Sequence, residues 1–185
     1  MQRAGFAFGI MAGTALALSG CEPPPSDAAV AFAANLPLKR GPSEPLPSPD
    51  TEGAVWSANA KTGRLVYGIA GKPVLVSLEC LAPGTPEARL RITRHAPADQ
   101  GAGALLAVIG NRYIGRIPVD ARQIGGQRLW QGEAPADIQG WNALVGLREV
   151  TVTVPGAGLV KLNPSPLPGQ LVESCRKPSP PADQA

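Results

Sequence analysis

The sequence predicts a mainly β domain, a sandwich or small barrel, with a short C-terminal helix clamped by a disulfide. Three observations predict it. Several stretches alternate apolar and polar residues, or run apolar, at strand length between Gly and Pro. Gly (22) and Pro (21) together approach a quarter of the 185 residues, which disfavours a helical bundle because both are costly in helix interiors. Two cysteines, Cys80 and Cys175, enclose nearly the whole folded part.

The strands read in order as Val55–Asn59, Arg64–Ala70, Val74–Cys80, Ala88–His95, Ala104–Asn111, Tyr113–Val119, Arg128–Gly132, Val150–Val154 and Leu159–Leu162. Val74, Val76, Leu78 and Cys80 share one strand face, which turns Cys80 inward with the apolar set. Gly110-Asn111-Arg112 and Pro155-Gly156-Ala157-Gly158 read as hairpin turns. Two helical pieces interrupt the strands. Asp137–Val145 carries Ile138, Trp141 and Val145 at helical spacing. Ser165 and Pro166 read as an N-cap and first helical residue, followed by Leu167, Leu171 and Cys175 at four-residue steps. Arg176 and Lys177 stand at the C-terminal end, where cations are favoured. This helix is expected to bring Cys175 to the Cys80 strand.

The folded part is expected to run over 50–178, with a loose tail over 179–185. It holds fourteen Lys or Arg, ten of them Arg, against ten Asp or Glu, and no Phe. Its core must therefore come from aliphatic residues, Trp56, Trp130, Trp141, Tyr67 and Tyr113.

The first segment reads as an address. Met1-Gln2-Arg3 carries one positive charge, and Ala4 to Leu18 carries none. That apolar run is shorter than the roughly twenty residues a membrane span needs, so residues 1–20 read as a secretory signal. Leu18-Ser19-Gly20-Cys21 resembles a bacterial lipobox. The resemblance implies lipidation of the Cys21 sulfur, cleavage before Cys21 and acylation of the new amino group. Glu22, where Asp favours inner-membrane retention in lipoproteins of this kind, implies an outer-membrane protein facing the periplasm. Residues 21–49 then form the lipidated Cys and a Pro-rich tether, with eight prolines among residues 22–49, extended and semi-rigid.

With Cys21 taken by lipid, Cys80 and Cys175 are the remaining pair, in a compartment where disulfides persist. A metal site would need further ligands, and His95 is the only imidazole. No metal or cofactor is expected, and a net charge of +3 is too small for a dedicated nucleic-acid binder.

A catalytic centre is not expected. There is no G-x-S-x-G, and Ser77 and Ser174 have no His in their sequence context. His95 lies at a strand end, where a lone imidazole is usually solvated. Asp120, Glu133 and Asp137 are scattered near turns. Gly101-Ala102-Gly103 precedes a strand instead of opening a helix, which is the wrong context for a phosphate loop. The arginines carry the remaining signal. Arg89, Arg91 and His95 share a strand face, and Arg112 and Arg116 flank a neighbouring turn; Arg suits phosphate or carboxylate. These five residues are the candidate site for an anionic envelope polymer, against the simpler reading of a face kept polar for solubility.

Trp56, Cys80 ending a strand and Cys175 on a late helix together resemble a loose group of small uncharacterised periplasmic proteins and lipoproteins of alphaproteobacteria. The resemblance implies secretion and a disulfide-linked β domain, and transfers no activity. The expected function is a non-enzymatic interaction or accessory module of the envelope, bound to the membrane by its lipid and to an envelope protein or anionic polymer. Two alternatives stand beside it. One is an inhibitor of a lysozyme-like enzyme, since Thr62-Gly63-Arg64-Leu65-Val66-Tyr67 is loosely similar to the Ser-Gly-x-x-Tyr loop of membrane-bound lysozyme inhibitors. The other is an envelope-polymer hydrolase, which would need two near carboxylates in a deep pocket.

Overall fold

A computed structural model of the chain describes residues 44–59 and 63–177. The signal segment, Cys21, the tether up to residue 43, Thr62 and the expected tail over 179–185 lie outside the described residues. Nine strands are formed: β1 (Val55–Ala58), β2 (Leu65–Gly68), β3 (Val76–Leu81), β4 (Arg89–Pro97), β5 (Gly103–Gly110), β6 (Tyr113–Ile124), β7 (Gln127–Pro135), β8 (Val150–Thr153) and β9 (Leu159–Leu162). They make one antiparallel sheet in the order β1-β2-β3-β4-β7-β6-β5-β8-β9. The sheet curls into a nearly closed barrel, so of the two expected architectures the barrel is formed. The described residues fall in one compact unit.

Alternation sets the two faces of the sheet. Leu90 and Ile92 of β4, Leu106 and Val108 of β5, Ile117 and Val119 of β6, and Val150 and Val152 of β8 are buried in the core, while their neighbours point outward. Each fully buried aliphatic side chain contributes roughly 1.5–3 kcal/mol over its exposed state. With no Phe to fill the interior, Trp141 and Tyr67, both fully buried, are its largest side chains.

Strands β6 and β7 run further than their apolar patterns suggest. The hairpin between them turns on Gly125 and Gly126, with φ of 55° and 82°, the double positive φ of a tight two-residue turn. The polar stretches Asp120–Ile124 and Gln127–Arg128 therefore pair, although they bury little. At the other end of this pair the backbones approach so closely that a methyl at Gly132 would run into the Pro118 carbonyl. Only glycine fits there.

The edges β1 and β9 are not paired by a ladder. They are joined by side chains. The Tyr67 hydroxyl donates to the Lys161 carbonyl at 3.0 Å and accepts from the Asn163 amide at 3.0 Å. The Asn163 side-chain amide donates to the Thr51 and Ala54 carbonyls at 3.1 and 2.8 Å. The segment before β1 is also part of the fold: Leu46 N donates to the Gly156 carbonyl, and Leu159 N donates to the Ser48 hydroxyl. The folded unit thus begins earlier than residue 50, because the end of the Pro-rich stretch has backbone partners on the β8–β9 turn.

Two helical pieces lie against the barrel. The expected helix over Asp137–Val145 is a 3-10 helix over Gln139–Leu144. Gly140 lies directly on Gly115 of β6, leaving no room for a side chain on either, and the Trp141 indole is fully buried with its Nε1 donating to the Pro135 carbonyl at 3.0 Å. Helix α1 (Leu167–Arg176) starts one residue later than expected, with the Ser165 hydroxyl accepting from Leu167 N. Its buried face is Pro168, Val172 and Cys175, and Leu167 and Leu171 are only partly covered. The expected stripe of Leu167, Leu171 and Cys175 is thus rotated, because the helix is positioned by tertiary ties at its C-terminal end. Arg176 donates to the Ala136 and Ile138 carbonyls and to the Asn142 side chain at 2.7, 3.1 and 2.8 Å. Cys175 is bonded to Cys80 of β3, with Cα atoms 5.7 Å apart and a separation of 95 positions in sequence.

Reducing this bond, or Cys175→Ser, is expected to lower the unfolding free energy by about 2–4 kcal/mol, read as a shift in the urea midpoint with and without reductant. Asn163→Ala, which leaves two carbonyls at the barrel seam without their donor, is expected to cost about 1–3 kcal/mol in the same titration.

Candidate functional site

The outward face of β3, β4, β7 and β6 carries a polar band, set by the register of the sheet. One row runs Glu79, Arg91, Glu133 across β3, β4 and β7, and the next runs Ser77, Thr93, Gln131, Asp120 as far as β6. Directly opposite partners in a sheet interact, and here they do so by charge. The Arg91 guanidinium holds Glu133 Oε1 through Nε and Nη2, at 2.7 and 2.6 Å, and reaches Glu79 at 3.3 Å. Arg89 lies 3.6 Å from the other Glu133 oxygen and donates to the Glu133 carbonyl. Two arginines therefore face two glutamates. The face has polar donors and acceptors but no net charge from these four residues.

Beside it is an open cavity of about 550 Å³ lined by Pro118, Asp120, Arg122, Gln131, Gly132 and Glu133. Asp120 and Glu133 line it together, a proximity invisible in the sequence. Glu133 is engaged by Arg89 and Arg91, and Asp120 by Arg122 at 3.3 Å. Gln131 Nε2 donates to the Thr93 hydroxyl at 2.9 Å. The cavity offers a mixed set of donors and acceptors suited to a polar, hydroxyl-rich or zwitterionic surface.

The five candidate residues do not form one cluster. Arg89 and Arg91 lie on β4, whereas Arg116 lies on β6 and Arg112 in the β5–β6 turn; β7 separates β4 from β6. His95 is set apart again. Its Nε2 lies 3.0 Å from the Ser77 hydroxyl and 3.3 Å from Arg64 Nη2, and Arg64 donates to the Ser77 hydroxyl at 2.5 Å. This corrects two expectations. His95 is not a solvated strand-end imidazole, and Ser77 does have a His partner, one strand away. The pair is not an accessible nucleophile, because Ser77 is 2% exposed. A neutral imidazole with Nε2 as acceptor satisfies the Ser77 hydroxyl while Arg64 supplies its donor. Burial, then the charges of Arg64 and Arg94, push the His95 pKa down to about 4.

Arg94 is the functional-looking residue that the sequence pattern passes over. It follows Leu90 and Ile92 on the inward phase and is 4% exposed. Its guanidinium donates to the Leu75 and Ala157 carbonyls at 3.2 and 2.9 Å, and Nε has no hydrogen-bond partner among the described residues. Burial lowers its pKa to about 10, so it remains charged at neutral pH. It braces β4 against the start of β3 and the β8–β9 turn.

Tyr67 bears on the inhibitor reading. Leu65–Gly68 is a strand, and Tyr67 is fully buried with its hydroxyl spent on Lys161 and Asn163. This stretch is not an exposed loop at Tyr67. Among the described residues, no group of three His, Cys, Asp or Glu stands close enough to hold a metal ion. Comparison with protein-family models, curated proteins and solved structures found no match.

The His95 environment sets a pH dependence. The unfolded chain takes up the imidazole proton near pH 6.5 and the folded one near 4, so this contribution to stability is complete above about 6.5 and lost as pH falls to about 4. The loss is expected to be no more than about 3 kcal/mol and to be absent in His95→Gln, as compared by urea unfolding at a series of pH values. A second expectation concerns the charged band. Arg91→Glu would set a third carboxylate between Glu79 and Glu133 and is expected to destabilise by about 1–2 kcal/mol, with partial recovery in high salt, read by the same titration.

Proposed function

We propose that the chain is a lipid-anchored lipoprotein of a bacterial envelope, held at the outer membrane on its periplasmic side, where it serves as a non-enzymatic interaction module. The observation that carries this reading is the division of the cysteines. Cys80 and Cys175 are bonded to each other, which suits an oxidising compartment. Cys21 is left as the odd cysteine, outside the β domain and directly behind Leu18-Ser19-Gly20 and an uncharged run. Two or more acyl chains there would anchor the chain stably, at about 0.8 kcal/mol per buried CH₂, and the Pro-rich segment would tether the barrel to the bilayer.

The barrel supports a binding role better than a catalytic one. The Ser77–His95 pair is shielded, and the carboxylates of the outer cavity are each engaged by arginine. The polar band of β3, β4, β7 and β6 is a sheet face suited to an envelope protein or an envelope polymer. Its ion pairing favours a partner with both donors and acceptors over a simple polyanion. The hydrolase remains the second reading because Asp120 and Glu133 share one cavity; turnover of envelope polymer that Glu133→Gln abolishes without loss of folding would establish it.

Mass spectrometry of the mature N-terminus tests the main reading. A chain beginning at Cys21 with diacylglyceryl and acyl additions, recovered in the membrane fraction, is the expected result, with Cys21→Ala lost from that fraction. An unmodified Cys21 thiol on a soluble chain would overturn it.

A further inference from the structure

Seven large apolar side chains stand exposed among the described residues, and five of them, Leu105, Ile109, Tyr113, Ile114 and Leu147, lie on or beside the β5–β6 hairpin. Ile109 is directly opposite Ile114, and the same outward row continues through Thr151 of β8 to Lys161 of β9. Leu147 joins the hairpin tip because Gly146 packs on Asn111, whose side chain donates to the Ala143 carbonyl at 2.9 Å. Ile109, Tyr113, Ile114 and Leu147 are 42%, 43%, 53% and 66% exposed. Clustered exposure of this kind marks an interaction surface.

The charges around this tip are cationic. Neither residues 103–119 nor residues 138–148 contain an acid, and they carry Arg112, Arg116 and Arg148. None of these three makes an ion pair among the described residues, whereas Arg89, Arg91 and Arg122 each face a carboxylate. The acids that border these stretches are Asp137, Glu149 and Asp120, the last of which faces Arg122. The turn also holds Asn111 and Arg112 at φ of 47° and 69°, which non-glycine residues adopt sparingly.

We propose that the β5–β6 tip docks the barrel onto an anionic phospholipid surface, with Ile109, Ile114 and Leu147 entering the interface and the three arginines meeting headgroup phosphates. Exposed apolar side chains with arginines on or beside the same hairpin suit the boundary between headgroups and acyl chains. A second copy of the same face would bring like charges together, so the charge favours an anionic partner. The inference rests on the reading of a membrane-anchored chain, which makes such a weak contact effective by holding it close. Geometry allows it. The chain joins the barrel at the β8–β9 turn, at the far end of β8 from Ile109. The 22 residues between Cys21 and Glu44 reach roughly 70 Å if extended, longer than the barrel strands at about 3.3 Å per residue.

The test uses residues 21–185 carrying Cys21→Ser, which cannot be lipidated, in flotation with vesicles of phosphatidylcholine alone or mixed with phosphatidylglycerol. Expected are partition onto the mixed vesicles that weakens as ionic strength rises, and at least a tenfold loss of it in Ile114→Asp, Leu147→Asp. Arg112→Gln, Arg148→Gln, which leaves the apolar residues in place, should lose the preference for mixed vesicles. All these positions are exposed, and unchanged thermal melting of each variant confirms that folding is intact. Equal partition onto both vesicle types, no partition onto either, or partition insensitive to both double variants overturns the proposal. So does a dimer that Ile114→Asp, Leu147→Asp dissociates, which would assign the face to a second copy. The two readings fail separately. An acylated Cys21 without vesicle binding by the unlipidated chain removes only the docking surface, and vesicle binding with an unmodified Cys21 removes only the anchor.

Discussion

The structure depends on closing a barrel whose two edge strands never pair. A ladder between β1 and β9 would supply its own backbone partners. Here the seam is instead held by Tyr67 and Asn163, which share four hydrogen bonds with Lys161, Thr51, Ala54 and each other. These bonds work because they are sheltered: Tyr67 is fully buried, and burial is the main reason its hydroxyl pKa is raised. A neutral phenol that both donates and accepts is what the seam requires. The disulfide acts on the same problem from another side. It ties α1 to β3, and Arg176 ties α1 to the segment around the 3-10 helix, so that elements far apart in sequence are held on one body.

Charge follows the same division between inside and outside. Inside, Arg94 is spent on backbone carbonyls that the curl of the sheet brings to it. A buried cation without a carboxylate is costly, and it persists because it spans β3, β4 and the β8–β9 turn at once. Outside, Arg89 and Arg91 are spent on Glu79 and Glu133. The arginines of the β5–β6 tip make no ion pair among the described residues and stand among apolar residues the core does not use. The same residue type thus serves as brace, ion-pair partner and exposed cation, according to what the sheet places opposite it.

What the sequence determined by itself was local. Period-two alternation and Gly or Pro punctuation located all nine strands, since each depends only on neighbours along the chain. Leu159–Leu162 matches the observed strand end to end, and the Asn111-Arg112 turn falls where its residues put it. The pairing of Cys80 with Cys175 followed from counting cysteines. The extensions of β6 and β7 were less legible, because polar residues pair there through backbone bonds that the Gly125-Gly126 turn sets up. Arg94 was legible in principle: it falls on the phase of Leu90 and Ile92, but a charge at an inward position contradicts the usual pattern.

Only the tertiary structure decided which side chains meet. Ser77 and His95 are 18 positions apart and become partners because β3 and β4 pair in one particular register. Arg89 and Arg91 look like a cationic pair until that register, and the one with β7, set Glu79 and Glu133 against them. Arg112 and Arg116 look like their neighbours until the strand order inserts β7 between β4 and β6. Chain spacing determines the face on which a side chain leaves its strand, because the pleat repeats every two residues. The residue it faces is determined by pairing across the sheet, and pairing is a property of the whole fold.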